Sequence, residues 1–130
     1  MNRTGLLLVL IGVLLNAIAQ FALKASTLTT GPIGLASSEI VSGLARVATV
    51  PWFWVGCFCY GISVIVWILA LSRVPVSIAY PMLSLGYVLN AVAARLWLGE
   101  PLGSLKTLAI AIIIAGVFLL VQPHTRGPAP

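Results

Sequence analysis

The sequence predicts an all-α membrane protein with four transmembrane helices and a short interfacial helix in the first loop. Of its 130 residues, 61% are hydrophobic and 7% are charged, whereas about a quarter of the residues of a typical soluble domain are charged. Four apolar segments each approach the roughly 20 residues that a helix needs to cross a hydrocarbon core of about 30 Å. Composition and segment length together therefore predict a multi-pass membrane protein.

These segments form one predicted transmembrane domain over residues 1–122, followed by a polar, proline-rich tail at 123–130 that we expect to be disordered. Between the first two segments, Ile40, Val41 and Leu44 fall at helical spacing beside polar residues, which is typical of a helix lying at the membrane surface. The predicted boundaries are about 5–24, 52–72, 76–98 and 104–121 for the transmembrane helices and about 36–49 for the interfacial segment.

The charged residues agree with a membrane protein. Seven Lys and Arg residues against Glu39 and Glu100 give a formal net charge of +5. Because the mean hydropathy is +1.15, basic residues at the membrane surfaces account for this charge, and no nucleic-acid partner is predicted. Cys57 and Cys59 point in different directions on a helix, so no mutual disulfide is expected. Neither cysteine has a metal-site partner in the sequence, and no metal or cofactor is predicted.

The first segment carries a polar and small stripe. Gly12, Asn16, Gln20 and Lys24 lie four residues apart and so share one slowly drifting helix face. A secretory signal peptide is a competing interpretation, since an N-terminal arginine and the small-residue pattern at 17–19 resemble its cleavage region. The polar side chains inside the segment favour a packed helix instead.

The role of this stripe has two open interpretations. An amide buried in lipid without a partner costs a few kcal/mol, so Asn16 and Gln20 should face the bundle or a wet cavity. There they either bind neighbouring helices or contact a substrate. Lys24 either extends its ammonium group to the membrane surface or meets an anionic group of the substrate.

The second segment presents Tyr60, Ser63 and Trp67 on one face that continues from Gly56. Such a face either packs closely against a neighbouring helix or lines a cavity. Trp67 is included among the candidate substrate-binding residues.

The third segment is the most polar of the four. Ser77, Tyr80, Ser84 and Tyr87 recur at steps of three and four, so they share one helix face that we expect to point away from the lipid. Tyr80, Ser84 and Tyr87 are candidate substrate-binding residues. Arg95, near the end of the segment, either extends to the membrane surface or binds a phosphate.

Pro81 interrupts the same segment. A proline inside a helix removes one backbone hydrogen bond and clashes with the preceding turn, so a kink or local opening is expected near Ala79 and Tyr80. Pro81 is therefore a candidate hinge for alternating access.

The fourth segment and the distribution of charge bear on assembly. Ala111 and Ala115 give a small-residue pattern in an otherwise apolar helix, which is typical of a scaffold or dimer helix. Because four helices leave little interior for a substrate path, oligomerisation is expected. Counting the terminal amine, four positive charges fall on each side, so orientation is not predicted. Either insertion in both orientations or a partner subunit is compatible with this balance. The basic residues are Arg3, Arg73 and Arg126 on one side, and Lys24, Arg46, Arg95 and Lys106 on the other.

Two sequence blocks carry a resemblance to known families. The blocks at 79–85 and 98–102, with a lysine closing the first helix, resemble the drug/metabolite transporter superfamily and its four-helix, small multidrug resistance-like members. Within that group, residues 74–85 and the pair Gln20 and Lys24 closely resemble the subunits that flip 4-amino-4-deoxy-L-arabinose-phosphoundecaprenol across the bacterial inner membrane. The resemblance implies a small multidrug resistance-like bundle that acts as a homodimer or as a heterodimer with a related four-helix subunit.

One departure separates the chain from the drug exporters of that group. They carry a glutamate midway along the first helix, which exchanges a proton for a cationic drug, whereas this position corresponds to Asn16 here. A neutral amide cannot exchange a proton for a cation, so a proton-coupled exporter of cationic compounds is the alternative function and not the leading one. A non-transporting assembly subunit is a third class.

The resemblance implies a flippase rather than an enzyme. The headgroup of a polyprenyl-phosphate glycolipid would enter a pocket between the first and third membrane helices while its tail stays among the membrane lipids. Lys24 would meet the phosphate and bending at Pro81 would expose the pocket to the other face.

Overall fold

The computed structural model describes residues 2–122, and the predicted tail at 123–130 lies outside this range. Within residues 2–122 the chain forms six α-helices and no strand. The helices are α1 (Arg3–Thr30), α2 (Ser37–Val47), α3 (Pro51–Leu71), α4 (Val76–Met82), α5 (Ser84–Trp97) and α6 (Ser104–Val121).

Four spans in this structure are long and apolar enough to cross a membrane. They are α1, α3, the consecutive pair α4 and α5, and α6. This confirms the prediction of an all-α membrane protein with four spanning segments. The position of α2 at the membrane surface stays a prediction.

Helix α1 is longer than the sequence analysis predicted. It continues past Lys24 to Thr30 and ends before Gly31, whose φ is 76°. The predicted boundary near residue 24 places residues 25–30 in the first loop. Instead, Ser26 and Thr27 donate their hydroxyl groups to carbonyls three residues earlier in the helix, at 2.6 and 2.7 Å. Their polar groups are thus satisfied within the helix, and Gly31 supplies the backbone conformation that ends it.

Helix α1 is the centre of the bundle, because α2, α3, α4 and α5 all contact it. Its closest neighbour is α3, and small residues allow the approach. An added Cβ at Gly56 would lie 3.0 Å from Leu23 Cγ and 3.1 Å from the Ala19 carbonyl oxygen. Ser63 Oγ donates a hydrogen bond across the interface to the Gly12 carbonyl at 3.1 Å. Of the two roles considered for the Gly56 face of the second segment, these residues perform close packing.

The third span is broken shortly after its proline. Leu83 separates α4 from α5, and its N–H bonds to the Tyr80 carbonyl at 3.0 Å in the tighter pattern of a 3₁₀ turn. The Ser84 hydroxyl donates to the Pro81 carbonyl at 2.6 Å and so competes with the regular backbone donor. The expected opening near Ala79 and Tyr80 is therefore displaced to the residues that follow the proline.

Helix α6 lies at the edge of the bundle. It packs against α4 and α5, and Val117 is its contribution to the core. Only 6% of the apolar membrane-spanning stretch of α6 is buried within the protein, compared with 33% of that of α1. Most of α6 is therefore available to lipid or to another chain.

The α1 and α3 contact gives a test of the packing. Gly56→Ala places a methyl group against Leu23 and the Ala19 carbonyl, and we expect it to lower the free energy of unfolding by about 1–3 kcal/mol. Gly61→Ala on the same helix is the control, since an added Cβ there meets no atom within 4 Å. The measurement is reversible unfolding in mixed micelles followed by circular dichroism. Equal stability of the two variants would contradict the packing described.

Candidate functional site

A polar groove runs between α1 and α5 and is the candidate site. Two adjoining cavities form it, with volumes of about 300 Å³ and about 370 Å³. We refer to the first as the inner cavity and to the second, near the C-terminal end of α5, as the terminal cavity. Gln20 and Asn90 line both cavities and so join them into one groove.

Four of the residues predicted from the sequence meet in this groove. Asn16 and Gln20 from α1 and Tyr87 from α5 line the inner cavity. Gln20 and Lys24 line the terminal cavity. Spacing by four residues along α1 places its three polar side chains in a row, so the groove changes from neutral amides to an ammonium group toward its end.

The wall opposite α1 includes a buried glycine. Gly86 lies on α5, and an added Cβ there would meet Val13 at an ordinary van der Waals distance of 3.6 Å. The two helices are therefore in contact at the inner cavity, which both Val13 and Gly86 line. Tyr87, the neighbour of Gly86, is 68% exposed.

Trp67 and Tyr80 lie elsewhere in the bundle and line neither cavity. Their rings meet edge to face with a centroid distance of 5.8 Å, and Trp67 also packs against Gly12. Such a pair stabilises the contact between α3 and α4. A substrate contact for these two residues stays a prediction.

Ser84 and Arg95 also lie outside the lining of both cavities. The Ser84 hydroxyl is engaged with the Pro81 carbonyl. Arg95 is exposed and follows Ala94, which lines the terminal cavity. A step of one residue turns a side chain by about 100° round a helix, so Arg95 lies on the flank of the groove.

Asn90 and Glu100 line the groove, although the sequence analysis did not single them out as site residues. Asn90 follows Tyr87 by three residues and therefore continues the same helix face. That spacing was a signal in the sequence. For Glu100 the signal was absent, since its position depends on how the chain turns after α5.

A reversal of the chain brings Glu100 back to the groove. Gly99 has a φ of 66°, a conformation that favours glycine. The Glu100 N–H then donates to the Ala94 carbonyl at 3.1 Å. Nearby, the rings of Phe21 and Trp97 meet with a centroid distance of 5.5 Å, and Phe21 forms part of the cavity wall. These contacts fix the backbone of Glu100 at the end of α5.

The charges of the terminal cavity are Lys24 on α1 and Glu100 after α5. Among residues 2–122, neither side chain forms an ion pair or a side-chain hydrogen bond. Asn16, Gln20 and Asn90 supply amide donors and acceptors along the rest of the groove. The described part of the chain contains no group of three or more His, Cys, Asp or Glu residues that could hold a metal. The groove is thus equipped to bind a polar group that carries hydroxyls and charges.

Similarity to named proteins decides the family. Over 131 residues the chain is 40% identical to a protein of Shewanella sediminis (strain HAW-EB3) named probable 4-amino-4-deoxy-L-arabinose-phosphoundecaprenol flippase subunit ArnF. The alignment covers 94% of this chain and 90% of that protein. The chain belongs to this family of flippase subunits.

Relatives named ArnE match a shorter part of the chain. The ArnE protein of Pseudomonas fluorescens (strain Pf0-1) is 43% identical over 72 residues, which cover 55% of this chain and 63% of that protein. The ArnE protein of Pseudomonas savastanoi pv. phaseolicola (strain 1448A / Race 6) is 39% identical over 82 residues, which cover 63% of this chain and 72% of that protein. No protein-family model and no solved structure matches the chain. Membership of the ArnE/ArnF family therefore rests on these relatives.

The groove can be tested by its access to water. In a background with Cys57→Ser and Cys59→Ser, we expect Asn90→Cys to react with a membrane-impermeant maleimide on the order of tenfold faster than Val92→Cys, because the reactive thiolate forms in water. Val92 is a matched control, since it is 47% exposed but lies on the opposite side of α5. Labelling rates in open membrane fragments give the comparison, and equal rates would contradict a water-filled groove.

Proposed function

We propose that the chain is a subunit of a flippase that moves an undecaprenyl-phosphate-linked, aminoarabinose-like monosaccharide across the bacterial inner membrane for envelope lipid modification. The observation that carries this proposal is the polar groove between α1 and α5, with amides along its length and Lys24 near its end. Membership of the ArnE/ArnF family supports the choice of substrate, which is the one named for the relatives.

The groove matches the two parts of such a lipid. Its amides from Asn16, Gln20 and Asn90 can donate and accept hydrogen bonds with sugar hydroxyls. The Lys24 ammonium can make a charge-assisted bond with the phosphate. The groove lies at the side of the bundle, so the headgroup enters between the helices while the polyprenyl chain remains among the lipid tails.

The transport chemistry requires no proton-carrying carboxylate within the membrane. The two acidic residues of the chain are Glu39 on α2 and Glu100 after α5, and the helices α1, α3, α4, α5 and α6 contain neither Asp nor Glu. Asn16, at the middle of α1, is a neutral amide that does not exchange a proton for a cation. This favours a lipid flippase over a proton-coupled exporter of cationic compounds. The proposed transport changes no covalent bond, and consumption of the lipid on the far side would give it direction.

The break in the third span supplies a hinge for this transport. Pro81 and the tight turn at Leu83 separate α4 from α5, and interrupted membrane helices commonly form the substrate sites of transporters. Bending there moves the α5 wall of the groove relative to α1, which opens the groove toward the other face of the membrane.

A second four-helix chain completes the proposed transporter. Within residues 2–122 the helices that bound the groove are α1 and α5, and most of α6 is exposed. The partner is either a second copy or a related subunit, and reconstitution with one or two chain types distinguishes them.

Lys24 provides the main test of the proposal. Lys24→Ala removes the phosphate contact, and we expect it to slow transbilayer movement of a polyprenyl-phosphate aminosugar on the order of tenfold or more. Lys106→Ala is the control, because Lys106 is also an exposed cation near the same end of the bundle but lines neither cavity. Movement is measured in proteoliposomes that hold this chain alone or with a related four-helix subunit. Absence of movement in both preparations would overturn the proposed function.

The hinge gives a second test. Pro81→Ala restores a backbone donor inside the third span, and we expect several-fold slower transport with unchanged substrate affinity. Pro75→Ala is the control, since Pro75 lies at the start of α4, where a helix needs no such donor. Equal transport rates for the wild-type chain and Pro81→Ala would exclude the hinge.

A further inference from the structure

We propose that Glu100 binds the protonated amine of the sugar headgroup while Lys24 binds its phosphate, so that the terminal cavity recognises a zwitterion. This inference rests on the proposed function and adds to it the residue that distinguishes an aminosugar from a neutral sugar. The substrate named for the relatives carries both groups, since it is an amino sugar joined to the polyprenyl chain through a phosphate.

The first observation is the pairing of charges in one cavity. Lys24 and Glu100 both line the terminal cavity of about 370 Å³, a volume within the range of small-molecule sites. Opposite charges that line a small cavity commonly neutralise one another directly. Here neither side chain makes an ion pair with any residue of the described range 2–122, so both remain free to bind a ligand that carries the complementary charges.

The second observation is the way in which the chain positions Glu100. The left-handed conformation of Gly99 turns the backbone after α5, and the bond from the Glu100 N–H to the Ala94 carbonyl holds it there. Ala94 itself lines the cavity. The carboxylate is therefore attached to a fixed backbone at the cavity wall, which limits the entropy lost when a ligand binds.

Selectivity follows from the chemistry of the two groups. An ammonium ion both donates a hydrogen bond to a carboxylate and attracts it as an opposite charge, whereas a hydroxyl group in the same position donates a hydrogen bond without that attraction. Because Glu100 is exposed, solvent screens part of the difference. We therefore expect the wild-type chain to prefer the amino sugar to its 4-hydroxy analogue by about threefold to tenfold.

Glu39 is the natural control, as it is the only other acidic residue of the chain. It lies on α2, where its carboxylate accepts a hydrogen bond from the Ala36 N–H at 3.3 Å, and it lines neither cavity. Glutamine can accept the same bond. Glu39→Gln therefore removes one negative charge without altering the groove.

The experiment compares two ligands and three proteins. Full-length wild-type chain, Glu100→Gln and Glu39→Gln are placed in nanodiscs of phosphatidylglycerol, with the partner subunit if transport requires one. Each is titrated with a short-chain polyprenyl phosphate that carries either the 4-amino sugar or its 4-hydroxy analogue. The ratio of the two Kd values is the readout, and circular dichroism checks that each variant is folded. We expect Glu100→Gln to bring the ratio of the two Kd values to about 1, because binding of the amino sugar weakens while binding of the 4-hydroxy analogue is unchanged.

Each other result has a defined meaning. Equal weakening of both ligands by Glu100→Gln, or loss of the preference in Glu39→Gln, would overturn the assignment of Glu100. A wild-type chain that binds both ligands equally would overturn this inference and leave the flippase proposal standing, whereas one that binds neither would overturn both. Competition by phosphatidylethanolamine as strong as by the amino sugar would show that the cavity binds zwitterionic lipid headgroups in general, which contradicts recognition of the sugar.

Discussion

The close contact between α1 and α3 is the interaction on which the rest of the bundle depends. Gly12, Gly56 and Ser63 let the two helices approach closely. Ser63 donates a hydrogen bond to the Gly12 carbonyl, and an added Cβ would lie 3.2 Å from the facing helix at Gly12 and 3.0 Å from it at Gly56. In hydrocarbon, such packing rather than hydrophobic burial holds helices together. The residues that line the groove lie about a quarter turn further round α1. Once α3 covers the small face of α1, the polar face of α1 is oriented toward α5, so one contact determines where the amides and Lys24 point.

The broken third span lets a single segment meet two different demands. Ala79 and Met82 of α4 belong to the buried core, whereas α5 buries Gly86 and exposes Tyr87 at the groove. A continuous helix would hold both surfaces in one fixed relation. The tight turn at Leu83 separates them, so α4 stays packed while α5 forms one wall of the groove. This arrangement places irregular backbone next to a polar cavity, where freed polar groups meet water or protein.

The parts of the fold that depend on local pattern could be predicted from the sequence, and those that depend on distant contacts could not. Apolar length gave four spans, and spacing by four brought Asn16, Gln20 and Lys24 to one face. The pairing of Trp67 with Tyr80 depends on which faces of two helices meet, which periodicity alone does not determine. The extension of α1 to Thr30 depends on hydroxyl groups that bond within the helix in place of forming turns.

The segregation of charge along the groove has a physical basis. A charged side chain near the middle of a bilayer costs several kcal/mol, and the residues toward the middle of α1 and α5, Asn16 and Asn90, are neutral amides. Lys24 lies near the end of α1 and Glu100 follows the end of α5, and both residues are exposed. In the proposed transport, a zwitterionic headgroup would therefore bind through charge at the membrane surface and cross the interior through amide hydrogen bonds alone. Weaker contacts in the interior than at the end prevent the headgroup from being trapped midway, as transport requires binding that also permits release.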